Sequence, residues 1–136
     1  MPLATGPVDK QEKVAPGAID ADANQEFLVT DSGLKYRILR KTDGKKPTAI
    51  SRVTVHYKGW LDNETIFDSS YRRNETISFG LNQVIKGWTE GMQLVGEGGM
   101  IELDIPYQLG YGERGSPGAI PPKASLHFIV ELFDVK

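Results

Sequence analysis

The sequence has no cysteine, two histidines in 136 residues and no apolar run near the ~18 residues of a membrane span. Without cysteine there are no disulfides, no thiolate nucleophile and no cysteine-based zinc site, and the redox compartment is left open. His56 and His127 lie in strand-like runs with apolar neighbours and no acidic or thiol companion at ligand spacing. Both read as structural, so no metal and no cofactor is expected. A G-x-S-x-G elbow is missing, and no Ser-His-Asp arrangement is visible. The start, MPLATGPVDKQEKV, lacks the basic patch and apolar stretch of a secretory signal. The expectation is a cytoplasmic protein; the alternative is an exported one whose signal segment is outside this chain.

Strong charge is missing too. The net charge of −2 argues against general nucleic-acid binding. Residues 1–32 carry a net −4 and residues 33–136 a net +2. The basic stretch Lys35, Arg37, Arg40, Lys41, Lys45 and Lys46 has one aromatic, Tyr36, and no alternation of aromatics with charge of the kind that stacks on bases, and reads as a solvated strand edge. Asn63-Glu64-Thr65 and Asn74-Glu75-Thr76 match the glycosylation sequon, relevant only in a secretory pathway.

What is present suits one domain with one core. Residues 1–24 are rich in Ala, Gly, Pro and Asp, show no periodicity, and are expected to be a flexible tail before a domain over 25–136. FLVT and LKYRIL read as two strands joined at Asp31-Ser32-Gly33. VTVHYKGWL puts Val53, Val55 and Tyr57 on one face, and TIFDSS and TISF are short β-prone pieces. LNQVIKGWTEGMQL has Ile85, Trp88 and Met92 at helical spacing, with Asn82 as a start signal and Gly96, Gly98 and Gly99 as stops. GMIELDIP alternates, and SLHFIVELFDV has apolar residues on both faces, which suggests a central strand. The class is α+β: a twisted antiparallel β-sheet with one short α-helix.

Gly110, Gly112 and Gly115 spell G-x-G-x-x-G, the spacing of a dinucleotide loop. That fingerprint needs a helix opening directly after the glycines. Pro117, Pro121 and Pro122 follow instead, and they break helical geometry and remove N–H donors. The stretch GYGERGSPGAIPP is therefore read as a turn-rich loop. Tyr111, Ala119 and Ile120 interrupt its turn chemistry, as in loops that carry function.

Four segments place aromatic and branched residues beside turn signals: VHYKGWL, IFDSSYRRN, QVIKGWTEGM and LGYGERGSPGAIPPKASLHF. Together they resemble the FKBP family, the macrolide-binding prolyl isomerases, from about Gly33 to Lys136. V-H-Y-x-G, F-D-S-S, V-I-x-G-W, Y-G-x-x-G and I-P-P occur in family order. The resemblance implies a sheet wrapped around a short helix, with a pocket between them, and peptidyl-prolyl cis-trans isomerase activity in a monomer. It implies proline-containing polypeptides as partners, with macrolides such as tacrolimus or rapamycin as further ligands. By the same resemblance Trp88 would floor the pocket, and Tyr57, Phe67 and Phe128 would wall it. Asp68 would face the reacting carbonyl, held by Arg73 and Tyr57, while Tyr111 and the Ile85 backbone N–H would donate to substrate carbonyls. Ile77, Val84, Ala119 and Ile120 would complete the binding surface. Plain core packing also accounts for Trp88 and Phe128, strand position alone would bury Tyr57, and Asp68 also reads as a turn residue capping Ser69-Ser70. Ser116, Ala119 and Ile77 depart from family members that carry His, a larger aliphatic and Phe there, which implies a roomier, less aromatic wall.

Overall fold

The computed structural model describes residues 5–136. Its strands are β1 (Leu28–Val29), β2 (Lys35–Arg40), β3 (Arg52–Leu61), β4 (Ile66–Ser69), β5 (Ile77–Gly80), β6 (Met100–Ile105) and β7 (Leu126–Val135). Two short helices, α1 (Ser70–Arg73) and α2 (Lys86–Gly91), interrupt them. The strands form one antiparallel sheet in the order β1-β2-β6-β7-β3-β4, with β5 added to β3. β7 occupies the middle, paired with β3 from Val53↔Val135 to Leu61↔Leu126 and with β6 from Met100↔Glu131 to Ile105↔Leu126.

The period-two patterning sorts residues onto two faces. Val53, Val55 and Tyr57 of β3, Ile101, Leu103 and Ile105 of β6, and Phe128, Val130 and Leu132 of β7 form the main core with Trp88 and Met92. α2 reaches this face closely because Gly87 and Gly91 have no side chain. A Cβ at Gly87 would lie 2.7 Å from Ile105 Cδ1, and one at Gly91 2.6 Å from Leu103 Cδ2. These glycines cost helix propensity and gain proximity to the sheet.

The opposite face holds a second cluster of Leu39, Trp60, Tyr71, Met100 and Ile129. Part of the segment expected as a flexible tail makes specific contacts with this face. Val14 and Ile19 pack on this cluster. Lys13 N–H donates to the Tyr71 carbonyl at 3.0 Å and Asp20 N–H to the Leu39 carbonyl at 2.8 Å. Gly17 N–H reaches Glu131 Oε1 at 2.9 Å. Lys58 Nζ donates to the Pro7 carbonyl at 3.0 Å. The segment is a strap held mainly by backbone bonds and ion pairs, which composition does not reveal. Residues 1–4 of the expected tail lie outside the described residues.

The helix is also shorter than its spacing predicts. Val84 is extended, Ile85 is the N-cap, and Asn82 lies in a preceding 3-10 turn, Leu81–Gln83; a second such turn, Met92–Leu94, follows. Only the middle of the periodic segment is α-helical, and the sequence reading did not anticipate α1 at all.

Candidate active site

A cavity of about 540 Å³ opens between α2 and the sheet. Trp88, 5% exposed, forms its base. The Tyr57 ring meets the indole edge-on, with centroids 5.4 Å apart at 85°, and Phe128 does so at 5.2 Å and 88°. Phe67 stands edge-on to Phe128 at 5.5 Å. Such edge-to-face arrangements suit the ring quadrupoles and lock each wall against its neighbour. Gly59 permits the approach of the two phenylalanines: a Cβ there would lie 2.6 Å from both rings.

The carboxylate of Asp68 lines the rim beside this apolar base. The Tyr57 hydroxyl donates to Oδ2. Arg73 Nη1 donates to Oδ1 at 2.8 Å, and its Nη2 reaches the Tyr57 hydroxyl oxygen at 3.3 Å. Ser69 N–H also donates to Oδ1, at 2.9 Å. Burial pulls the Asp68 carboxyl upward, but the hydrogen bonds from Tyr57 and Arg73 and the guanidinium charge outweigh it and hold it below the usual carboxylate range. Burial first, and then the hydrogen bond to Asp68, push the Tyr57 hydroxyl up to about 12. At neutral pH the rim is an ionised carboxylate gripped by a neutral phenol and a cation.

The cavity lining brings together Tyr57, Asp68, Ile77, Val84, Ile85, Trp88, Tyr111 and Phe128 from the expected set. The Tyr111 side chain is exposed, and its hydroxyl has no partner among the described residues. Phe67 and Arg73 stand behind the lining, backing Phe128 and Asp68. Ala119 and Ile120 are not part of the lining. Ala119 is exposed on the loop, whereas Ile120 is buried in the main core. Sequence reasoning missed Phe79 and Gln83. Phe79 sits two residues after Ile77 on β5, so strand alternation puts both on one face, and its ring lies 5.4 Å from Trp88. Gln83 carries no comparable signal.

The glycine-rich loop is anchored by reciprocal bonds of 2.8 Å between Ser116 and Ile120, with Gly112, Gly115 and Gly118 at positive φ. His127 lies 2.6 Å from Asp62 and stacks on Trp60, away from the cavity. Among the described residues no group of His, Cys, Asp and Glu could hold a metal ion, and no helix is long and apolar enough to cross a membrane.

A family model described as FKBP-type peptidyl-prolyl cis-trans isomerase matches residues 43–133, which include every residue of the cavity lining. The chain belongs to that family. A probable FKBP-type peptidyl-prolyl cis-trans isomerase of Haemophilus influenzae is 49% identical over 111 residues, 82% of this chain and 46% of that protein. An FK506-binding protein of Neisseria meningitidis is 50% identical over 99 residues, 71% of this chain and 91% of its own length. Among FKBP-type structures, that of FkpA from Escherichia coli superposes with a TM-score of 0.80 at 43% identity, covering 83% of this chain and 53% of FkpA. The chain thus spans about half the length of several curated FKBP-type relatives.

Proposed function

We propose that this chain accelerates cis–trans exchange of X-Pro bonds in polypeptides, as a monomer, with the proline ring seated on Trp88. The observation that carries the reading is the combination of a closed aromatic base with a single fixed carboxylate at its rim. Rotating a peptide bond costs ~18–20 kcal/mol because resonance gives it double-bond character. The planar amide carries charge on oxygen and nitrogen that water stabilises, and the twisted form has lost much of it. An apolar box that grips the proline and excludes water therefore favours the twisted state over the planar one. Each tenfold in rate requires about 1.4 kcal/mol of such differential binding.

In this mechanism the Tyr111 hydroxyl and the Ile85 backbone N–H orient the substrate through its carbonyl groups. Ile85 suits this role because leading N–H groups of a helix lack intrahelical acceptors. Asp68, kept ionised, faces the carbon and nitrogen of the rotating bond, and Arg73 and Tyr57 hold it there. The same box accepts macrolides such as tacrolimus or rapamycin; Ile77, partly exposed at the wall, makes that fit looser than a phenylalanine would.

The test is NMR exchange between cis and trans forms of an Ala-Leu-Pro-Phe peptide at catalytic protein levels. Accelerated exchange is expected, weakened strongly in Trp88→Ala and less in Trp88→Leu, which keeps an apolar base. Broadening by binding alone, with no acceleration, would identify a proline-binding module and overturn the enzyme. The Trp88→Ala change also costs about 3–5 kcal/mol of stability, so its folding is checked by circular dichroism.

A further inference from the structure

The strap touches α1 at the two residues before Arg73. Arg72 donates to Asp9 through two bonds, Nε to Oδ2 at 2.7 Å and Nη2 to Oδ1 at 3.2 Å. The Asp9 side chain is only 3% exposed, and Gln11 N–H also donates to it at 3.0 Å. One residue earlier in α1, the Tyr71 carbonyl takes Lys13 N–H at 3.0 Å.

α1 has four residues, too few for an internal ladder of hydrogen bonds; the buried Ser70 and Tyr71 anchor it to the sheet, and its two arginines grip it on either side. On the cavity side the grip is Arg73 on Asp68, an ion pair whose side chains are 46% and 41% exposed. An exposed pair of this kind contributes little on its own and does not fix a helix. On the far side the grip is Arg72 on a shielded carboxylate in bidentate geometry, the strong and directional form of the interaction. The Arg72 bond also holds the Asp9 carboxyl below its ordinary range, so the pair stays charged near neutrality. The weaker contact at the rim is therefore arranged by the stronger one behind it.

We propose that the strap is a positioning element for the site: the Asp9–Arg72 pair, with Lys13 on Tyr71, sets the pitch of α1 so that Arg73 meets Asp68 and Tyr57. Asp9 and Arg72 touch no part of the cavity and act only through Arg73. This rests on the isomerase reading above.

The experiment is a double-mutant cycle in the full chain, following kcat/KM for an X-Pro peptide. Asp9→Ala is expected to lower kcat/KM about fivefold, as for coupled neighbours. In an Arg73→Ala background the same change is expected to do nothing further. The Arg73 Nε–H resonance should broaden or shift in Asp9→Ala. If Asp9→Ala does not fold, Arg72→Ala breaks the same pair from a side chain that is 31% exposed. Unchanged kcat/KM in the folded variant, or an equal loss with and without Arg73, would overturn the proposal. A wild-type protein with no isomerase activity overturns the function itself and this role with it, so the two failures are distinct.

Discussion

Asp68 sits between two environments. Its neighbours on the cavity side are rings, and its neighbours on the other side are a phenol from β3 and a guanidinium from α1. Burial alone would favour its neutral form, and the two donors reverse that. The Tyr57→Phe change removes one of the hydrogen bonds that lower the Asp68 carboxyl, which therefore rises. The acid limb of the kcat/KM profile should then move to higher pH, with a loss of about threefold at neutrality, since the carboxylate is partly solvent-screened. Profiles of the two proteins recorded across the acid range check this; an unmoved acid limb would show that Asp68 ionisation does not govern turnover.

Among elements, the loop after β6 depends on its glycines in unequal degree. At Gly115 φ is +70° and an added Cβ would collide with the Ile120 and Pro121 carbonyl oxygens. At Gly118 φ is +86° and nothing lies within 4 Å. Gly115→Ala is expected to destabilise by about 1–3 kcal/mol and to raise KM by displacing Tyr111, with Gly118→Ala at the lower end or below it. Urea unfolding of both variants gives the comparison. The strand pattern was readable because apolar residues repeat every second position, as in β3 and β6, and the central place of β7 followed from its two apolar faces. The site residues follow from the family resemblance, since Tyr57 and Phe128 lie within strands where alternation alone reads as core. Ile120 is absent from the cavity lining; it belongs to the main core, as Tyr57, Trp88 and Phe128 also do. The strap was illegible because Val14 and Ile19 are its only large apolar anchors on the sheet, and its other ties are backbone amides, Asp9 and Lys58.

For the whole molecule, buried charge sets the response to acid. Glu131 accepts from Gly17 N–H, the Tyr71 hydroxyl and Arg40; burial opposes its ionisation, and these donors together hold it below its ordinary value. Asp9 and Asp68 are lowered as well. A lowered carboxyl contributes stability that is complete above the unfolded value and is lost as pH falls through the folded one. These losses begin near the ordinary values of 4.5 for Glu and 3.8 for Asp. His56, lowered first by burial, adds an earlier decline: below 6.5 the unfolded chain takes up a proton that the folded one resists. Glu102, raised by burial despite Arg37, works in the opposite direction. Urea midpoints should fall gently below pH 6.5 and steeply below 4.5. A flat midpoint down to pH 4 would mean that these groups titrate alike in the folded and unfolded chains.

The central position of β7 has a consequence for how the molecule comes into being. Its partners β3 and β6 are not paired with each other, and Phe128, a wall of the cavity, comes from the strand that joins them. Without residues 126–135 the sheet is two separate halves, β1-β2-β6 and β3-β4-β5, and the cavity lacks its Phe128 wall. Closure then links positions far apart in sequence, Val53 to Val135 among them, which is the slow kind of pairing. The cavity is complete only with β7 in place, because Phe128 lines it.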